Sequence, residues 1–453
     1  MTPATPSSGG PEETRAAARR FADLARDLVA TERNVFWLDA GEGATSGVSY
    51  LGAGARVLLS RDGRTTVDGR PVAGDAIAAL RPALADAPTG PGGHPFRGGW
   101  VGWFSYEYGA DLVGVPRAQT DLPDALLVQP DRLWAFDHGS GTVEQVLTTA
   151  REPVPPVARA TSAPSSSARP QPPTVTWRHD RAAYLSAIEA CQAAIARGDA
   201  YQVCLTNEAR VSDPGDAFEA YERLRASSPA PHGAFLRIGD VAVASSSPER
   251  FLRVDGRRVV TRPIKGTRPR GADSASDAAL ARELRSDEKE RAENLMIVDL
   301  MRNDLGRVAR LGSVEVEELF SVESFSSVHQ LVSTVAAVLD DDRDALDALA
   351  ASFPAGSMTG APKHRAMTIL AGLESGPRGA YAGTFGWIGA DGGLDLAMVI
   401  RSIVFAGGEA RIGTGGGITA LSKPESEVAE TLLKARPLLA ALGLPAELAA
   451  HRS

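Results

Sequence analysis

The sequence predicts an α/β chain of the α+β kind, and three observations carry that assignment. Apolar residues recur at helical spacing over 15–31 and 181–197, while short apolar and β-branched runs at 35–38, 126–128 and 133–136 read as strands. Asp62-Gly63 and Asp255-Gly256 sit between such runs as hairpin turns. From 176 onward helical and strand patterns alternate, with no internal repeat.

In chain order, residues 1–14 are rich in Pro, Ser, Thr and Gly and are expected to form a disordered tail. A mainly β segment follows over 15–151: the helix 15–31, a buried strand 35–38, a hairpin 56–60 with 65–67, and strands 126–128 and 133–136. Its loudest feature is Arg97-Gly-Gly-Trp-Val-Gly-Trp-Phe-Ser-Tyr-Glu107, where closely spaced glycines and aromatics predict tight backbone packing under an interface. No GxxxxGK[ST] or strand-bound GxGxxG accompanies it, which argues against a nucleotide loop. Residues 152–175 are Pro/Ala/Ser-rich and read as a linker or surface loop. A second segment, 176–445, opens with Asp180 as N-cap of the helix 181–197, closed by Gly198, and a strand 201–209. Further on, the pattern predicts one helix over 283–300 and one strand over 398–404.

At 453 residues and 43% apolar content the chain can bury a large core, and its length suggests about two or three domains. A net charge of −8 argues against a nucleic-acid partner, which needs a concentrated basic face. No apolar run is long enough to cross a membrane and no leader pattern opens the sequence, so a cytoplasmic location is expected. Cys191 and Cys204 form neither a disulfide framework nor a CxxC pair and read as small core residues.

Of 48 basic residues only five are lysines: Lys265, Lys289, Lys363, Lys423 and Lys434. A chain that defaults to arginine keeps an ammonium where a compact charge or a removable proton is needed. Lys265 stands in Pro-Ile-Lys-Gly-Thr, after a strand-like run 257–261. The Asp255-Gly256 turn would fold that run back on the one led by Glu249, placing an acid and an amine face to face at one sheet edge. The other reading of the pair is a solvated turn lysine with a surface partner. Two helical stretches add carboxylates, Glu290 with Glu293, and Glu427 with Glu430 and Lys434, each set on one helix face. Four such side chains suit Mg²⁺; they equally suit a solvated acidic face salt-bridged to Lys289, Arg291 and Lys434.

The motifs SPERFL, PIKGT, RAENLMIVDLMRNDLGRV, FPAGSMTGAPK and GTGGGI follow one another in the order of the chorismate-utilising enzymes, and over 180–440 the chain resembles that family. The resemblance implies two β-sheets packed together with helices outside. It also implies Mg²⁺ held directly by Glu293 and Glu430 and largely through water by Glu290 and Glu427. Chorismate is a small dicarboxylate, so its site needs cationic forks and close backbone N–H groups. Arg401 and the glycines 415–417 offer both, and similarity assigns Thr267, Tyr381, Arg401, Gly415, Gly417 and Lys434 to the substrate site. Without the family, Arg401 reads equally as a surface salt bridge and the glycines as a tight turn. Lys363 reads as structural.

Branch within the family rests on two positions. Gln202 stands where water-adding relatives carry a lysine base, and Lys265 stands where anthranilate-forming relatives usually carry alanine. The chain is therefore most similar to the aminodeoxychorismate-forming branch, with the anthranilate-forming branch as the alternative. His329 comes one place before the usual histidine position, which here holds Gln330, so alternation leaves His329 only packed. The mechanism implied has Lys265 attack the ring while Glu249 protonates the leaving hydroxyl, which requires burial and a nearby cation to lower the lysine pKa. Ammonia is expected from a separate glutaminase subunit, since neither cysteine sits in a glycine-flanked turn.

Overall fold

The computed structural model describes residues 11–149, 173–325 and 328–445. Most of the expected N-terminal tail and of the 152–175 stretch lies outside those residues. The first helix, Pro11–Thr31, begins before the expected start, and Val175–Trp177 is already an edge strand paired with the strand Gln202–Ser212.

Two antiparallel sheets, of 11 and 12 strands among the described residues, pack face to face. Alternation along the strand Val35–Asp39 shows how the layers arise. Phe36 and Leu38 enter the core between the sheets with Trp103, Phe385 and Trp387, whereas Val35 and Trp37 point outward. On that outer face lie the helices Pro11–Thr31, Ala217–Ser227 and Pro424–Ala441, contributing Phe21, Tyr221 and Leu438. The outer face of the other sheet is covered by Tyr106–Val113, Glu288–Gly306 and Ala345–Ser352, through Tyr108, Ile297 and Leu349. The expected two-sheet α/β architecture with external helices is the one observed.

Both sheets draw strands from either side of the 152–175 stretch. Val35–Asp39 pairs with His232–Ile238, and Gly99–Phe104 pairs with Thr384–Gly389. The glycine and aromatic stretch is thus an interior strand, with Ala125–Gln129 on its other side. Gly102 faces Gly386 across the ladder, and a Cβ at 102 would lie 2.6 Å from the Leu127 Cα.

Local signals hold where local chemistry decides. Asp62 and Gly63 both adopt left-handed φ (50° and 71°), joining Arg56–Arg61 to Arg64–Val67 as expected of a primed turn. Asp180 caps Arg181–Ala196 by accepting the Ala183 N–H at 2.8 Å. Two expectations need correction. The helix over 283–300 is two helices, Ser274–Ser286 and Glu288–Gly306, divided at Asp287, whose side chain caps the second. The strand over 398–404 is also two: Leu394–Met398 ends in the 12-stranded sheet and Ser402–Ala406 begins in the 11-stranded one. The chain crosses between sheets at Arg401, with φ 51°. Both halves are buried and apolar, so hydropathy does not mark the break.

Gly102→Ala forces a methyl into the neighbouring strand and is expected to destabilise the fold by about 2 kcal/mol or more, the usual scale for overpacking. Urea denaturation of the purified variant measures this; an unchanged midpoint would show that the sheet yields there.

Candidate active site

Lys265 lies on the strand Ile264–Pro269, which pairs with Val328–Val338. Ile264 faces Val332 and Thr267 faces Gln330, so the Lys265 strand carries one extra residue between them. The result is a β-bulge at Lys265-Gly266, which turns the lysine out of the regular alternation. Gly266 supplies the positive φ (85°), and a Cβ there would come within 3.1 Å of the Glu290 carboxyl. Glycine at this position lets the lysine strand lie against the helix that carries the acids.

The expected hairpin forms, with Asp255 facing Arg258 and Arg253 facing Val260, but Lys265 is not part of it. Pro263 interrupts the run, and the chain continues along Val328–Val338 instead. Glu249, just before the strand Arg250–Asp255, still comes within electrostatic reach of Lys265. The acid and the amine meet across a bulge, and not as ends of one hairpin.

Gln202 and Gly417 complete this corner. They lie on the neighbouring strands Gln202–Ser212 and Glu409–Ile418, with Cys204 opposite Gly417. A Cβ at Gly417 would collide with the Gln202 amide and lie 3.4 Å from Lys265 Nζ, so glycine leaves room for both. The Gln202 Oε1 is buried without a hydrogen-bond partner. Gly415 is held through its carbonyl, which accepts from Lys434 Nζ at 2.7 Å. Tyr381 is buried with its ring packed over Gly413.

Arg401 makes no side-chain hydrogen bond or ion pair among the described residues, although protein surrounds most of it; burial lowers its pKa, against the opposing pull of the Tyr381 phenol and the Glu430 carboxylate. A guanidinium held in a left-handed backbone position without a partner can pair with an external anion. Thr267 lies exposed two residues past Lys265, opposite the buried Gln330.

The four glutamates gather around these cations. Glu290 and the buried Glu293 open the helix Glu288–Gly306, while the buried Glu427 and more exposed Glu430 open the helix Pro424–Ala441. Lys289 Nζ stands 3.7 Å from both Glu293 and Glu427, and Lys434 binds Glu430 at 2.8 Å. Among the described residues no three such side chains already converge as a ligand set. The donors nevertheless fit a hard divalent cation: they are all carboxylate oxygens, and the half-exposed Lys289 ammonium stands between them where positive charge is wanted.

Electrostatics assign different states to the two central groups. Burial raises the Glu249 pKa to about 7, against the opposing pull of the Ser357 hydroxyl and Lys265. That is the range of a general acid at neutral pH. For Lys265 burial works to lower the pKa, but Glu293, Glu249 and Glu430 outweigh it and the pKa is raised. This corrects the expected lowering, because the carboxylates around the lysine carry their charge unneutralised. Burial raises Glu293, whereas Lys434 overcomes burial at Glu430 and holds it down.

Several groups lie beside the site. His329 is buried, bound to Ser324 at 2.7 Å and Asp277 at 2.9 Å, and is packed as alternation predicts. Lys363 donates to Asp304 and to the Ser352 carbonyl, both at 2.7 Å, a structural tie. Sequence reasoning missed Ser357 beside Glu249, although it lies inside FPAGSMTGAPK. It also missed a buried cluster of Arg378, Glu374, Tyr106 and Glu107, for which the only signal was the glycine and aromatic stretch.

Because folding raises the Glu249 pKa from 4.5 to about 7, its protonated carboxyl contributes stability that is fully present below 4.5 and lost as pH rises through about 7. Glu249→Gln is therefore expected to stabilise the fold at pH 8 by on the order of 2 kcal/mol while removing catalysis. Urea melts at pH 5 and pH 8 measure it; a variant less stable at both would contradict the buried-acid assignment.

Comparison with known proteins assigns the chain to a family. The profile of chorismate binding enzymes matches residues 33–440. The chain is 46% identical over 380 residues to aminodeoxychorismate synthase of Streptomyces griseus, covering 80% of this chain and 52% of that protein. The chain thus spans about half the length of that relative. It is 41% identical over 426 residues to anthranilate synthase component 1 of Thermus thermophilus, covering 90% and 92% of the two chains. Among solved structures, anthranilate synthase component I from Streptococcus pneumoniae superposes with a TM-score of 0.74 at 29% identity, covering 88% of this chain and 93% of that one. With the family profile matched over most of its length and a 41% identical relative covered almost entirely, the chain belongs to the chorismate binding enzymes.

Proposed function

We propose that the protein aminates chorismate at C4, giving 4-amino-4-deoxychorismate, with ammonia supplied by a separate glutaminase. The observation that carries this reading is Lys265, set in a bulge beside an acid of pKa about 7. With its proton passed to a neighbouring carboxylate, Lys265 Nζ attacks ring C2 as Glu249 gives its proton to the departing C4 hydroxyl, and the ring double bonds shift toward C4. Ammonia then forms the C–N bond at C4, the double bonds return, and the C2–lysine bond breaks. Arg401, Lys434 and the backbone at Gly415 and Gly417 would hold the substrate carboxylates, with Tyr381 and Thr267 at the margins and Gln202 beside the lysine.

Glu290, Glu293, Glu427 and Glu430 would hold Mg²⁺, which when bound supplies charge to the ring carboxylate as the bonds shift. The same carboxylates keep Lys265 protonated when they are not neutralised, so lysine reactivity and their occupancy are coupled. The second reading, anthranilate formation, is favoured by the Thermus thermophilus relative, which matches nearly the whole chain.

Incubating the protein with chorismate, ammonium salt and Mg²⁺, and identifying the product by mass and absorbance, separates the two. The expected product is the amino-cyclohexadiene with its enolpyruvyl group retained; anthranilate with released pyruvate would overturn the proposal. Lys265→Ala is expected to lose roughly 100-fold or more in kcat and to regain part of it at high ammonium.

A further inference from the structure

Lys289 stands among the carboxylates of the site, and the chemistry above gives it no task. Its Nζ lies 3.7 Å from Glu293 Oε1 and 3.7 Å from Glu427 Oε1, so it joins the two acid-bearing helices. Both distances exceed the about 2.8 Å of a charge-assisted hydrogen bond, and Lys289 makes no such bond among the described residues. Two other lysines behave differently. Lys363 donates to Asp304 and the Ser352 carbonyl at 2.7 Å, and Lys434 to the Gly415 carbonyl at 2.7 Å and Glu430 at 2.8 Å. Lys289 is held by charge alone, with its side chain 46% exposed.

Its place in the helix disfavours an ammonium. Lys289 is the second residue of Glu288–Gly306, where the aligned peptide dipoles present their positive end. A lysine four residues ahead of a glutamate is also the weaker order of that pair. The acid set itself keeps the charge in place: burial works against it, and Glu293, Glu427, Glu290 and Glu430 outweigh burial. In return the ammonium compensates Glu293 and Glu427, both buried and drawn from different helices. Arginine, the usual cation of this chain, would clasp such carboxylates with a bidentate fork. Lysine holds them as a point charge that can leave.

We propose that Lys289 is a built-in counter-ion of the carboxylate set, which withdraws into water when a divalent cation reaches those oxygens and thereby sets the affinity of the site; this rests on the Mg²⁺ reading above. A cation taken by Glu293 and approached by Glu427 comes up against the Lys289 ammonium, and like charges at that range repel. With nearly half of its side chain already in water and a flexible stem, Lys289 can move its charge outward without leaving the helix surface. The acids thus stay compensated until the divalent ion takes over.

Calorimetric titration of the full chain with magnesium chloride, without chorismate, tests this apart from turnover. Lys289→Met keeps the stem and removes the charge. It is expected to bind Mg²⁺ about fivefold or more tightly than the wild type, the scale of two half-exposed ion pairs that need not be broken. Lys289→Arg is expected to bind it more weakly, because its fork can clasp both carboxylates. Labelling with acetic anhydride, read by peptide mass, follows the withdrawal itself. Mg²⁺ is expected to raise the labelling of Lys289 in the wild type and to leave that of the exposed Lys423 unchanged. Equal or weaker Mg²⁺ binding by Lys289→Met overturns the proposal and leaves the metal reading standing, as does Lys289 labelling that Mg²⁺ lowers or does not change. Binding of Mg²⁺ by neither the wild type nor Lys289→Met overturns both.

Discussion

Lys265 places an ammonium among protein atoms, and the surrounding carboxylates make that placement tolerable. An isolated charge there would shed its proton; Glu293, Glu249 and Glu430 instead hold it charged. The glutamates in turn are balanced by Lys289, Lys434 and Lys265, so each helix end that brings an acid depends on a cation from elsewhere in the chain. Changing the charge at any one of these positions changes the protonation of the others. Lysine chemistry and acid chemistry are therefore set by one electrostatic balance, with Glu249 set apart because burial there outweighs the pull of Ser357 and Lys265.

Backbone geometry gives that balance its position. The bulge at Lys265-Gly266 turns the side chain inward, and the missing Cβ at 266 and 417 admits the Glu290 helix on one side and Gln202 on the other. Arg401 enters from a third direction because the chain changes sheets at that residue. The site is thus assembled where two sheets, a bulged strand and two helix N-termini meet. Such an assembly needs the whole shared frame, including the interior strand Gly99–Phe104 from the first third of the chain.

Much of this was legible in the sequence because it is local chemistry. Asp-Gly turns, the Asp180 cap and the alternation at His329 and Gln330 each depend on a few neighbouring residues, and each stands as read. The motif series also pointed to residues that do come together: Lys265, Glu249, Gln202, Gly417 and the four glutamates. What the sequence hid depends on distant partners. The break at Arg401 lies inside a run that is apolar on both sides, so only the placement of two sheets reveals it. The raised pKa of Lys265 comes from acids on helices remote in sequence. Glu107 looked like one more residue of an aromatic stretch until Arg378 was found beside it.

The central claim is that Lys265 is a nucleophile and not a positioning charge. Its most direct test is the mass of the Lys265 peptide after the protein is held with chorismate and Mg²⁺ in the absence of ammonia. The account predicts that this peptide gains the mass of the dehydrated substrate, and that added ammonia discharges it as aminated product. An unmodified peptide, together with a Lys265→Ala protein that aminates chorismate at the wild-type rate, would contradict it.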